Sequence, residues 1–336
     1  MPKRIVVFLV ATAVAAATLV SCADSGDSLV IYSGRNQNLV GPILDRFARE
    51  TGTEISVRYA DTTELTPTLL EEGRATRADV FFSQDAGALA ALANQGRLAP
   101  LPQSVLDQVE PRFRDPERRW VGVTGRARVI AYNTERVTPA RLPKSVLEVA
   151  TPVWAGKVGF PPTNASFVAF VSALIEQVGR ERTRSFLEGL KANGAKRYDN
   201  NVLTLEAVAR GEVELGLVNH YYLYNEFKQR PAAPVANHFP GQEPGGEGTF
   251  VNVAGLGIIE GTDQPQAAER LVRFLLDNEA QTYFRNETSE YPLAKGVGAI
   301  PELPPLDRLR TIDIPLDRLG RDLNASLTLL KEVGLT

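Results

Sequence analysis

The chain is 336 residues long, 43% hydrophobic and 23% charged, a balance that suits a globular protein with a sizeable core and two lobes and excludes a disordered tail or a coiled coil. A formal net charge of −3 argues against both a nucleic-acid-binding surface and a polybasic membrane patch. A single cysteine cannot form an internal disulfide, and two histidines without a cysteine cluster argue against an ordinary zinc site.

Lys3 and Arg4 precede an apolar run over 5–20 that ends at Ser21 and Cys22, the layout of a secretory signal. The run is short for a membrane-spanning helix, which wants ~20 apolar residues, and a turn-rich stretch over 23–28 follows at once. Its end, Leu19-Val20-Ser21-Cys22, resembles the lipobox of bacterial lipoproteins. That resemblance implies a signal peptide over 1–21, a lipid on Cys22 and a linker over 22–28; the alternative is an unmodified Cys22 in a signal cleaved elsewhere.

From residue 29 onward, strand and helix patterns alternate. Residues 29–32 form an apolar strand running into Ser33 and Gly34, and 39–50 place Leu39, Ile43, Leu44 and Phe47 on one helical stripe. Residues 53–59 alternate as a strand, 65–72 form a helix closed by Gly73, 78–82 a buried strand, and 86–94 a helix closed by Gly96. A loop rich in proline and charge covers 100–119, followed by two strands, 120–123 and 128–132. A second set comprises a strand at 157–160, helices at 166–178, 182–192 and 205–210, and a strand at 213–218. After a proline- and glycine-rich loop over 231–248, a strand at 252–259 and a helix at 265–285 return to the first pattern. The alternation predicts an α/β fold of two lobes, each a mainly parallel sheet flanked by helices, with a hinged cleft between them. The expected lobes are 29–126 with 250–295, and 127–249, with C-terminal helices over 296–336 packing on the second. The loops after Ile31, Phe82, Phe160 and Val218 are expected to line the cleft, since ligands of open α/β sheets sit beyond the carboxyl ends of strands.

Segment 215–224 is the most informative, because a strand delivers adjacent Tyr221 and Tyr222 to the start of a helix. A phenol holds its proton to a pKa near 10, but a trivalent metal competes for the oxygen and yields phenolate, a donor suited to a hard cation. Amphipathic core or rim residues would read the same way. Residues 162–164 lead into a helix whose free N–H groups can cradle an oxyanion, although ordinary helix capping uses Asn164 and Ser166 equally well. Arg126 and Arg128 face either that anion or solvent. His220 reads as a neighbour of the tyrosine pair rather than a ligand, and Tyr132 and Tyr291 as braces of the hinge and cleft wall. The glycine-rich stretch 241–248 lacks phosphate-loop spacing, and no serine elbow or Cys/His pair marks a nucleophile.

Taken in order, Ile31-Tyr32-Ser33-Gly34-Arg35, Arg49-Glu50-Thr51-Gly52, Leu70-Glu71-Glu72-Gly73, Ala78-Asp79-Val80-Phe81, the run 125–132, Asn219-His220-Tyr221-Tyr222 and Glu290-Tyr291-Pro292-Leu293 resemble the bacterial ferric-ion-binding proteins of the type II periplasmic binding fold. The resemblance covers nearly the whole chain after the signal. It implies Fe³⁺ held by the phenolates of Tyr221 and Tyr222, with a synergistic anion, phosphate or carbonate, at Asn164, Ala165, Ser166, Asn201 and Asn219. Some members add a histidine and a glutamate from the other lobe, at positions that match Asn36 and Thr63 here. Asn36 offers only a neutral oxygen, and Glu64 or Asp61 beside Thr63 can supply the missing charge, so Asn36 and Glu64 are the expected opposing ligands. A third tyrosine used by other members falls on Ser166. The implied role is that of a monomeric, non-enzymatic solute-binding lipoprotein at the outer face of the cell membrane, handing iron to an ABC permease and its ATPase. The rivals are a carrier for an oxyanion or small organic solute such as a phosphonate, polyamine or thiamine-like molecule, an exported hydrolase, and a sensory binding protein.

Overall fold

The computed structural model describes residues 28–312 and 314–336. The signal peptide expected over 1–21 and the lipid expected on Cys22 lie outside the described residues. Among the described residues, no helix is long and apolar enough to cross a membrane.

The first third follows the apolar pattern closely. β1 (Leu29–Ser33) buries Leu29 and Ile31 completely, and α1 (Gln37–Thr51) lays Val40, Ile43, Leu44 and Phe47 into the core. The Asn36 side chain starts α1 by accepting the Asn38 N–H, and Gly52 ends it at φ 67°, a left-handed turn that glycine makes without a Cβ clash. β2 (Ile55–Tyr59), α2 (Thr62–Glu72), β3 (Val80–Ser83) and α3 (Ala86–Asn94) follow, with Asp85 capping α3 through the Ala88 N–H at 2.9 Å. One short turn, α4 (Gln103–Leu106), lies in the charged loop.

The two strands expected at 120–123 and 128–132 are one strand of 13 residues, β4 (Val121–Asn133). The intervening residues do not break it because their backbone pairs with β9 from Thr124 to Ala127, and the polar side chains among them are buried. Thr124 donates to Glu290 at 2.8 Å, Arg126 lies 4.0 Å from the same carboxylate, and Arg128 donates to oxygens of the second lobe.

The second set runs β5 (Val158–Phe160), α5 (Ala165–Val178), α6 (Arg180–Ala192), β6 (Lys196–Arg197), α7 (Asn201–Ala209), β7 (Leu215–Asn219) and α8 (Tyr221–Glu226). The proline- and glycine-rich loop contains a strand, β8 (Val235–His238), that pairs with β4. β9 (Val251–Ile258) returns to the first lobe. The helix expected over 265–285 is two, α9 (Pro265–Leu275) and α10 (Asn278–Tyr283), because Asp277 starts a new helix by accepting the Ala280 N–H at 2.7 Å. A π-helical turn (Phe284–Thr288) and β10 (Tyr291–Pro292) follow. The C-terminal helix, α11 (Leu319–Val333), packs on α5 and α6, and also on α3 from the first half of the chain.

The strands form one path, β2-β1-β3-β9-β4-β7-β5-β6, with β8 and β10 added along β4. The outer ladders β2-β1-β3 and β7-β5-β6 are parallel, whereas β9 and β4 run antiparallel to their neighbours where the chain passes between lobes. β4 pairs with β9 up to Ala127 and with β7 from Arg128, so both lobes share one continuous strand. Helices flank the sheet, and the molecule has the two-lobed α/β architecture that the alternation predicts.

Candidate metal centre

β7 ends at Asn219, and the chain turns through His220 into α8, which begins with the tyrosine pair. Tyr221 is 3% exposed while Tyr222 is half-buried, and the two rings stack with centroids 4.3 Å apart and planes 29° apart. Burial raises the Tyr221 phenol well above its usual pKa, and Tyr222 and Glu290 push the same way while Arg126 and Arg35 oppose them. The metal-free phenol is therefore protonated, and a hard cation has to displace that proton.

Both rings face an open cleft of about 1460 Å³ whose far wall carries Arg35, Asn36, Asp61, Glu64 and Gln84. The cleft thus brings together the tyrosines and both residues expected to oppose them. Each opposing group is already engaged. Asn36 caps α1 with its side-chain oxygen, and the exposed Glu64 accepts from Arg58 Nη2 at 3.4 Å.

The residues expected to hold the anion also meet, around a group that the sequence left ambiguous. Arg128 is 2% exposed, and its Nη1 donates to Ser166 Oγ and Asn201 Oδ1 at 3.1 Å each and to Asn219 Oδ1 at 3.4 Å. Its Nη2 donates to the Leu217 carbonyl at 2.6 Å, so every acceptor it uses is a neutral oxygen. Asn164 closes the cluster: its Oδ1 accepts the Ser166 N–H at 3.1 Å, the Ser166 hydroxyl at 2.6 Å and Asn201 Nδ2 at 3.1 Å. Ala165 is the first residue of α5 beside them. Burial lowers the Arg128 pKa to about 9, and the neighbouring Tyr222 and Tyr221 hydroxyls pull it back up. A buried cation beside two phenols is stabilised when those phenols become phenolates or when an anion arrives.

A second buried arginine stands two residues earlier on the same face of β4. Arg126 is held low by burial and by Arg35, with Glu290 and Tyr221 opposing, and its Nε and Nη2 have no hydrogen-bond partner among the described residues. Glu290 is fully buried and accepts from Arg35 Nη2 at 2.9 and 2.8 Å. His220 is packed, as expected, against Tyr291 and edge-on to Tyr221. Burial drops its pKa to about 4, so the ring is neutral. Sequence reasoning missed Glu290 and Arg35 as a pair because 255 positions separate them. The available signal was the i, i+2 spacing of Arg126 and Arg128 within an otherwise apolar strand.

Residues 75–314 match the profile of a family described as bacterial extracellular solute-binding protein. The Fe(3+)-binding periplasmic protein of Serratia marcescens is 32% identical over 336 residues, which cover 98% of this chain and 97% of that protein. Among solved structures, iron-bound HitA from Pseudomonas aeruginosa superposes with a TM-score of 0.85 at 33% identity, covering 91% of this chain and 99% of that one. The Trichodesmium protein IdiA (FutA), solved in complex with iron and citrate, gives 0.81 at 28% identity, covering 92% and 100%. With the paired phenols at the cleft floor and relatives matched over nearly their full lengths, the chain belongs to the bacterial extracellular solute-binding proteins, in the family of periplasmic ferric-ion-binding proteins.

Proposed function

We propose that this protein captures ferric iron in its cleft through the phenolates of Tyr221 and Tyr222, acting as the extracytoplasmic carrier of an ABC importer rather than as an enzyme. The stacked, cleft-facing phenol pair carries the reading, because two adjacent phenolates suit a hard trivalent ion. The iron-binding relatives support it.

The remaining coordination belongs to an anion and to the first lobe. Asn164, Ala165, Ser166, Asn201 and Asn219 form the anion cradle in this proposal, with Arg128 supplying a positive charge at its base. Closure brings Asn36 and Glu64 toward the ion, which requires Asn36 to share its capping oxygen and Glu64 to leave Arg58. Those contacts exist only in the closed state, so they are what metal binding uses to favour closure. The lobes in this scheme are 29–126 with 250–295, and 127–249. A lipid on Cys22 keeps the carrier, a monomer, at the outer face of the membrane, and the closed form is what the permease and its ATPase engage.

The test is a ferric citrate titration of the lipid-free protein, with and without phosphate or carbonate, followed by visible absorption. A saturable phenolate-to-iron charge-transfer band is expected, lost when Tyr221 and Tyr222 are both replaced by Phe and strengthened by the anion. A wild-type protein that stays colourless at every ratio sinks the ferric reading.

A further inference from the structure

His220 sits immediately before the tyrosine pair and is fully buried. Its backbone N–H donates to the Ala127 carbonyl at 3.0 Å, and its ring Nδ1 accepts the Ala127 N–H at 3.0 Å. The residue therefore grips β4 through backbone and side chain at once. With Nδ1 accepting, the ring proton is on Nε2, which donates to the Ser289 carbonyl at 3.0 Å.

Both attachment points are mechanically special. Ala127 is the last residue of β4 paired with β9, and Arg128 is the first paired with β7, so the grip falls where the chain crosses between lobes. Ser289 ends the π-helical turn with φ 54°, a left-handed conformation that a non-glycine residue keeps only when its neighbours hold it. Those neighbours come from α8: Ser289 Oγ donates to Asn225 Oδ1 at 3.1 Å, and Asn225 Nδ2 donates to the Thr288 carbonyl at 3.0 Å. The next residue, Glu290, holds Arg35 in the opposite cleft wall. One hydrogen-bonded path thus runs from the tyrosine-bearing helix, through the imidazole and the 288–290 corner, to the loop after β1.

An imidazole bonded at both nitrogens in opposite directions cannot swing without losing one bond. A lobe rotation that moved Ala127 against Ser289 would force the ring either to follow, taking Tyr221 with it, or to break a contact. We infer that His220 is a positioning residue that sets the direction of the Tyr221 phenol relative to the lobe crossing and couples metal retention to lobe position. Both ring nitrogens are occupied, so it does this without being a ligand. The inference rests on the ferric reading above.

The test uses the lipid-free protein with His220→Phe, which keeps a flat ring but no ring nitrogen, and His220→Gln, whose side-chain N–H reaches toward Ser289. For His220→Phe, iron release to a competing chelator is expected to quicken about tenfold, the factor that about 1.4 kcal/mol of lost hydrogen bonding gives. The charge-transfer band shifts with it, and His220→Gln recovers most of the slow release. A folded His220→Phe protein with wild-type band and release rate overturns the inference, since it leaves the ring only a packing role. Should His220→Phe fail to fold, the wild-type protein decides: hydrogen exchange at the Ala127 amide is expected to slow at least tenfold on loading with gallium(III), and equal rates overturn the coupling. No band in the wild-type protein removes the ferric assignment and this inference together, whereas a normal wild-type band with an unaltered variant removes this inference alone.

Discussion

Glu290 has no exposed surface, accepts twice from Arg35 and once from Thr124, and lies 4.0 Å from Arg126. Removing one side of such a buried arrangement leaves cations in a poorly solvating interior, and that costs more than the pair contributes when intact. Glu290→Ala is therefore expected to destabilise the iron-free protein by about 3–5 kcal/mol in urea unfolding. A loss below ~1 kcal/mol would mean that water reaches the guanidiniums once the carboxylate is gone. At this scale the sequence was uneven. Tyr221 and Tyr222 stand out because two adjacent phenols open a helix just after a strand, whereas Arg126 and Arg128 look like a solvated strand face until the fold buries them. Asn36 and Glu64 do reach the cleft, but their capping and ion-pair partners, Asn38 and Arg58, depend on local geometry that residue type alone does not convey.

Elements were most legible where hydrophobic period and punctuation agreed. α1 carries its apolar stripe between Asn36 and Gly52, and the expected 39–50 falls inside the observed helix. β4 reads as two strands because Thr124, Gly125 and Arg126 interrupt its apolar character, and unbroken backbone pairing of 124–127 with β9 overrides the pattern. β8 is hard to see in the sequence because its four residues lie within a stretch rich in proline and glycine. The break between α9 and α10 is a capping event, and capping can be measured. Asp277 accepts the Ala280 N–H at 2.7 Å, so Asp277→Ala is expected to cost about 1 kcal/mol of stability, read as a lower urea midpoint. An unchanged midpoint would mean that the backbone alone restarts the helix.

At the scale of the molecule, two lobes hang on shared strands, and α11 lies across both halves by touching α3 as well as α5 and α6. Ser326 of α11 meets the Ser172 hydroxyl at 2.8 Å, and Glu332 accepts from Arg180 at 2.9 Å, so its second-lobe side is fastened by specific bonds. Its buried Leu329 and Leu330 belong to the common core. The two-lobed architecture was visible in the strand and helix alternation. The bridging helix was not, because nothing in an amphipathic stripe says which two surfaces it will join.

The place of β9 in the sheet also governs timing. It lies between β3 and β4, yet its residues, Val251–Ile258, come more than a hundred positions after those strands have been made. Until that segment arrives, the first lobe has an open slot in its centre and cannot complete its core. A chain ending at residue 250 should accordingly bind a hydrophobic dye and show no cooperative transition for its first lobe; sharp, dye-free unfolding would refute this. A first lobe whose central strand arrives so late keeps the apolar residues of β3 and β4 uncovered on that side until residues 251–258 have been made.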